Sequence, residues 1–290
     1  MPLLRIGHSP DPDDAFMFFP LATGAVRIEG FQVEQVLEDI ESLNRRALQG
    51  ELEVTAISAA MYPLVADKYR IMACGASVGR KYGPILLARQ AVTLVKLAGK
   101  RIGIPGAYTT AYLLFRVYMP HLFEPVILPF DRISEAIWDG QVDAGLIIHE
   151  GQLTWRRLGF HNVLDLGQAW SSDTGLPIPL GLDVVHRRLG EATSRMVTSK
   201  LEESIRYTMA HEDEAVDYAM AYGRGIDKET CRRFVRMYVN ADTLNLGEEG
   251  RRALDTLYSK ALERGLIQAM PPLDIIGPNP KIRRCGGRRF

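Results

Sequence analysis

The sequence predicts an α/β protein of two similar lobes facing each other across a cleft, on the strength of two internal repeats and the element order they share. Arg5-Ile6-Gly7, followed by Ala15 and Phe19, recurs without a gap 96 residues later as Arg101-Ile102-Gly103, Ala111 and Phe115. Gly50-Glu51-Leu52-Glu53 ahead of the apolar residues 54–57 recurs 90 residues later as Gly140-Gln141-Val142-Asp143 ahead of residues 144–148. Each half reads as strand, polar loop and helix, then a helix ending in Gly, an acidic turn and a buried strand. Open α/β sheets bind ligands beyond the carboxyl ends of their strands, where helix N-termini and backbone N–H groups collect. Two facing lobes therefore make an interdomain cleft. Residues 9–14 and Ser58 of one lobe, and residues 106–110 and His149 of the other, are expected to line it.

In chain order, residues 3–7 read as a short buried strand, with Asp14 as N-cap of an apolar helix over residues 15–21. Residues 31–37 read as a strand. Ile40, Leu43, Asn44, Ala47 and Leu48 then share one helical face, and Gly50 stops that helix. Asn44 interrupts the apolar face: it either satisfies backbone groups beneath the cleft, the preferred reading, or touches ligand.

Residues 83–89 read as a strand entering the second lobe, which continues with strands at 101–104, 126–130, 144–149 and 163–166 and helical segments between them. Residues 177–185 read as the return strand. The expected division is residues 1–87 and 186–290 for a discontinuous first lobe carrying the C-terminal helices, and 88–185 for the second lobe, with two crossings that act as a hinge. Residues 196–211, 213–222, 228–239 and 248–265 show helical apolar spacing and are expected to pack back on the first lobe. The basic tail over residues 281–290 reads as disordered.

Composition narrows the partner. Thirty-five Lys and Arg balance 35 Asp and Glu, so no basic footprint for nucleic acid or an acidic membrane exists, and a small molecule is expected. Cys74, Cys231 and Cys285 lie far apart in no metal-binding or paired spacing, which fits a reducing compartment. The start MPLLRIGHSPD has no secretory apolar region, and no run is long enough to span a bilayer, so a cytoplasmic protein without membrane insertion is expected. The oligomeric state is not legible.

His149 ends an apolar strand at the cleft, a rigid position that suits a general base, because imidazole titrates near neutral pH. From position alone, a buried or ligand-binding His with no proton-transfer role is the preferred reading. Pro105-Gly106-Ala107-Tyr108-Thr109-Thr110 leads from a strand into a helix, so its free N–H groups and two hydroxyls favour a carboxylate or phosphate. Simple capping by Thr109 or Thr110 accounts for the same residues. Asp11, Asp13 and Asp14 lack the glycine and final Glu of a calcium loop; Asp11 and Asp13 are taken as loop or ligand-contact residues, and no metal is expected. P-loop, dinucleotide, serine-elbow and zincin motifs are all absent.

Taken together, Gly7-His8-Ser9-Pro10-Asp11-Pro12-Asp13-Asp14-Ala15-Phe16, Leu37-Glu38-Asp39-Ile40-Glu41-Ser42-Leu43-Asn44, Pro105-Gly106-Ala107-Tyr108-Thr109-Thr110-Ala111-Tyr112 and Gly145-Leu146-Ile147-Ile148-His149-Glu150 resemble the 1,4-dihydroxy-6-naphthoate synthase family of the futalosine route to menaquinone. Tyr238-Val239-Asn240-Ala241 and Gly247-Glu248-Glu249-Gly250 fit it too. Asp11, Asp13 and Ala15 depart from one common form of its first motif, S-P-C-P-N-D-T-F. The resemblance implies a two-lobed, type II periplasmic-binding-protein-like fold with an interdomain cleft. It implies a lyase that converts cyclic de-hypoxanthine futalosine to 1,4-dihydroxy-6-naphthoate, releasing the sugar-derived fragment without metal or organic cofactor. It maps the general base to His149 and ligand-binding hydroxyls to Ser58 and Thr110, joining Ser9, Asp11, Asn44 and Thr109 as expected contacts of a small carboxylate-bearing substrate. The alternatives are a cytoplasmic small-anion solute-binding or sensor protein of the same fold, or the related chorismate dehydratase; the latter ranks lower because GLIIHE resembles the synthase.

Overall fold

The computed structural model describes residues 1–119, 121–149 and 151–278. The expected disorder of residues 281–290, and Glu150 of the GLIIHE motif, lie outside the described residues. The chain opens with β1 (Leu3–His8), α1 (Pro12–Thr23), β2 (Gln32–Leu37), α2 (Ile40–Gln49), β3 (Val54–Ser58), α3 (Tyr62–Val65), β4 (Tyr69–Met72) and β5 (Ser77–Gly79). It crosses to β6 (Ile85–Ala88), β7 (Arg101–Ile104), α4 (Thr110–Tyr118), β8 (Glu124–Ile127), α5 (Ile133–Trp138), β9 (Ala144–Ile147), α6 (Gly151–Thr154), β10 (His161–Asp165) and α7 (Leu166–Thr174). It returns through β11 (Ile178–His186) into α8 (Gly190–Ala210), α9 (Glu212–Ala219), α10 (Lys228–Tyr238), α11 (Ala241–Leu244), α12 (Gly247–Glu263) and β12 (Ile275–Ile276).

Two separate sheets result. One runs β12-β4-β11-β3-β1-β2, with β5 paired to β11; the other runs β10-β6-β9-β7-β8. The repeats of the sequence occupy equivalent places. β1 lies between β2 and β3, β7 lies between β8 and β9, and all four pairings are parallel. An antiparallel strand then follows on the same side of each, β11 beside β3 and β6 beside β9. The carboxyl ends of β1 and β3, and of β7 and β9, are thus the switch points at which ligands bind in such sheets.

Local chemistry explains the helix ends that matter. Asp39 caps α2 by accepting from the N–H groups of Glu41 and Ser42, and Gly50 ends it at φ 68°, a left-handed conformation that glycine adopts without penalty. α1 carries Phe16, Met17, Phe18 and Phe19, all buried, because its flanks are covered by the first sheet and by α8, α9 and α10. Burial of one such side chain contributes on the order of 2 kcal/mol.

Three expectations are corrected. Asp14 is not the N-cap of α1: the helix begins at Pro12, whose fixed φ and missing N–H suit the first helical position, and Asp11 stands at the cap. Asp14 instead accepts from the Ser9 backbone N–H at 2.7 Å and closes the loop. The strand expected at 126–130 ends at Ile127, and Phe130 starts a short 3₁₀ turn. Finally, Ile178–His186, read as the end of the second lobe, belongs to the first sheet, where it pairs antiparallel with β3, β4 and β5. In the second sheet the place beside β6 is taken by β10, and β6 itself joins that sheet from Ile85.

Candidate active site

The two sheets meet at a cavity of about 110 Å³ whose walls come from both lobes. Ser9, Ser58, Thr109, Thr110 and His149 all line it. At one corner α4 points its N-terminus inward. Thr109 caps it: its Oγ1 accepts from Tyr112 N–H at 3.3 Å and donates to Gly106 C=O at 2.9 Å, so its one proton is committed and none is left for an anion. Thr110 Oγ1 donates to Leu180 C=O at 2.6 Å and accepts from Ala60 N–H at 3.1 Å, fastening the helix start of one lobe to the other. What this corner offers an anion is therefore the first backbone N–H groups of α4, which have no intrahelical acceptor, together with Ser58.

Ser58 is held by Asn44, which is fully buried. Asn44 Oδ1 accepts from Ser58 N–H at 2.8 Å while its Nδ2 donates to Ser58 Oγ at 3.0 Å. Because Oγ accepts from Asn44, its own proton is left to point elsewhere. Asn44 itself is absent from the cavity wall, and its amide positions Ser58. The lobes close tightly beside it. Glu41 Oε2 accepts from Tyr108 N–H at 3.0 Å, and a Cβ on Gly106 would sit 2.3 Å from the same oxygen, so only glycine permits this approach.

His149 stands across the cavity at the end of β9 with φ 57°, in the left-handed region. Such a conformation costs a non-glycine residue on the order of 1 kcal/mol and is retained where the surroundings enforce it. Here the enforcing contacts are visible. His149 Nδ1 lies 3.2 Å from Asp11 Oδ2, and the Phe130 ring packs edge-on at 4.6 Å between centroids. Asp11 is 1 % exposed, its second oxygen is paired with Arg224, and the Arg224 guanidinium lies over Phe130 at 4.6 Å. Burial alone would raise the Asp11 pKa, but His149 and Arg224 outweigh it and hold the carboxyl below its ordinary value. An ionised Asp11 accepts from His149 Nδ1–H, so the carboxylate fixes the ring through that nitrogen. Asp11, expected as a ligand contact, is not on the cavity wall; both of its oxygens serve protein groups.

Asp13, Asp14 and Asp183 line the first-lobe end of the cavity. Burial raises all three pKa values, Asp14 and Asp11 add to the effect at Asp13, and Asp14 adds to it at Asp183. Gln152 and Tyr238 complete the wall, the tyrosine hydroxyl donating to Gln152 Oε1 at 2.9 Å across the lobes. Among the described residues no three His, Cys, Asp or Glu side chains come together in a way that could hold a metal ion, and no helix is long and apolar enough to cross a membrane.

The residues that sequence reasoning missed are Arg224, Phe130, Gln152, Tyr238 and Asp183. Arg224 lies 213 positions from Asp11, so no spacing rule links them. Asp183 carries the one available signal, an acidic residue inside an otherwise apolar strand.

A sequence model of a menaquinone biosynthesis family matches residues 4–263. The 1,4-dihydroxy-6-naphtoate synthase of Thermus thermophilus is 42 % identical over 271 residues, which cover 93 % of this chain and 98 % of that protein. The synthase of the same name from Streptomyces coelicolor is 36 % identical over 275 residues, 93 % of this chain and 96 % of that protein. Among solved structures, protein AF1704 from Archaeoglobus fulgidus superposes with a TM-score of 0.88 at 48 % identity, covering 91 % of this chain and 98 % of its own. An alkanesulfonate-binding protein from Xanthomonas axonopodis pv. citri, 14 % identical, superposes with a TM-score of 0.71 over 96 % of this chain and 99 % of its own, a likeness of fold.

Proposed function

The chain belongs to the menaquinone biosynthesis family, and from that premise we propose that it is a carbon–carbon lyase, a 1,4-dihydroxy-6-naphthoate synthase acting on cyclic de-hypoxanthine futalosine. The observation that carries the reading is the His149–Asp11 pair: a cavity-lining imidazole with Nδ1 tied to a buried carboxylate, opposite a helix N-terminus. In this reading the substrate carboxylate takes the N–H groups at the start of α4 and the Ser58 hydroxyl, while Thr109 and Thr110 hold that helix start in place. His149 Nε2 removes a proton next to a substrate carbonyl, which starts C–C cleavage and aromatisation. Developing negative charge meets dipoles already oriented, which avoids reorganisation at the moment of reaction.

The two lobes as divided by their sheets, joined by two crossings, open to admit substrate and close to bring Asp11 to His149. Three cysteines far apart in sequence and in no paired spacing support a reducing, cytoplasmic setting for a small-molecule enzyme. Incubation of purified protein with cyclic de-hypoxanthine futalosine, followed by chromatography, should yield 1,4-dihydroxy-6-naphthoate. Tight binding without conversion would replace the lyase by a solute-binding protein of the same fold.

A further inference from the structure

Two residues of the cavity wall each carry an oxygen that no protein group meets. Asp183 Oδ2 and Asp13 Oδ1 are buried without a hydrogen-bond partner, on residues only 2 % and 8 % exposed. Buried polar groups are nearly always satisfied, so two bare oxygens on residues that line one cavity mark a place that a ligand completes. Asp183 lies on β11 opposite Ala56 of β3, and both residues line the cavity. Gly75, at φ 89°, makes room for it: a Cβ there would fall 2.0 Å from Asp183 Oδ2.

We propose that Asp183, with Asp13 and Asp14 beside it, forms a hydrogen-bond-donating subsite that takes an uncharged oxygen of the substrate, a hydroxyl or carbonyl remote from its carboxylate. This rests on the reading that the α4 corner holds that carboxylate. Three carboxyls in one water-poor corner cannot all ionise, and burial and mutual repulsion raise the pKa of each. Of the other titratable groups near the corner, Cys74 and Tyr238 are pushed up by burial, and His8 favours ionisation of Asp14, but burial outweighs it and the Asp14 pKa stays raised. A protonated carboxyl has one O–H to donate, so Asp183 binds a neutral acceptor and rejects a second anion. The cavity is thereby polarised, with backbone N–H groups for a carboxylate at one end and carboxylic acids for hydroxyl or carbonyl oxygens at the other.

Asp183→Asn keeps a neutral donor of the same size and Asp183→Leu removes it. With cyclic de-hypoxanthine futalosine, the Leu variant should raise KM, and Kd by calorimetry, by about tenfold or more, with Asn losing clearly less. Binding of 2-naphthoate, a planar carboxylate without hydroxyls, should be the same in all three proteins. In ligand-free protein at neutral pH, infrared difference spectra between wild type and Asp183→Asn should show a protonated carboxylic-acid carbonyl band that only the wild type has. Absence of that band, or equal losses in the Asn and Leu variants, overturns the subsite. The calorimetry reads the subsite even if the compound binds and is never converted, and the infrared band reads it even if the compound does not bind, so a failed lyase reading and a failed subsite give different results.

Discussion

Asp11 and His149 meet across the two lobes, Oδ2 to Nδ1 at 3.2 Å, although they stand at the ends of strands in different sheets. Arg224 occupies the other Asp11 oxygen, so the carboxylate is fixed from both sides and cannot turn away from the imidazole. The imidazole is in turn presented by a left-handed residue, with 17 % of its side chain exposed.

Replacing His149 by Asn removes the proton acceptor and keeps a polar side chain. Turnover of cyclic de-hypoxanthine futalosine should fall by on the order of 100-fold or more, while calorimetry still detects binding. Turnover near the wild-type value in this variant would remove His149 from the chemistry.

Asp11→Asn keeps the volume but loses the charge that orients Nδ1–H. The expected result is a drop in kcat on the order of tenfold to 100-fold with little change in KM, since the group acts through His149 and does not line the cavity. A larger effect on KM than on kcat would show that Asp11 contacts substrate after all.

Ser58 and Thr110 should separate cleanly. Ser58→Ala should weaken carboxylate binding by about tenfold or more, the scale of one hydrogen bond to a charged group. Thr110→Val leaves Ala60 N–H and Leu180 C=O without their partner, so its main cost should be stability, about 1–3 kcal/mol in denaturant unfolding. Unchanged stability in the valine variant would contradict the bridging role.

Glu53 ties β3 to Arg5 of β1 and to Arg188 beyond β11. Although burial opposes its ionisation, hydrogen bonds and charge from Arg5 and Arg188 pull its pKa down to about 2. A depressed carboxylate stabilises the fold above the usual Glu pKa, and that contribution is lost as pH falls from there toward about 2. With both arginines partly solvated the contribution should be about 1–2 kcal/mol. Glu53→Gln should therefore melt a few degrees lower at neutral pH, and the gap should close in acid. A gap that persists unchanged at low pH would assign the loss to packing.

Much of the architecture was legible in the chain because its signals are local. Apolar periodicity ending at Gly50 marks α2, and the repeated Arg-Ile-Gly phrase marks β1 and β7, since helix and strand periods and glycine stops are written within a few residues. The repeats also pointed to the cavity between the lobes, because loops that follow equivalent strands come to equivalent sheet edges. Ser9, Ser58, Thr109, Thr110 and His149, all named from the chain, do share one cavity.

What each of them does there depended on contacts far apart in sequence. The chain could not tell that the Thr110 hydroxyl is spent on Ala60 and Leu180, that Asn44 serves Ser58, or that Asp11 turns from the cavity to His149 and Arg224. Nor could it assign Ile178–His186 to the first sheet, since an apolar run fits any open edge and its partners β3, β4 and β5 lie about 100 or more residues earlier in the chain. A hydroxyl or carboxylate has the same donors and acceptors wherever it lies in the sequence. Burial decides its protonation state, and the one neighbour within about 3 Å decides its bond. Sequence by itself determined the elements, their duplication and the residues at the cleft; tertiary structure decided their partners, because hydrogen bonds and charge act over distances that only folding brings within reach.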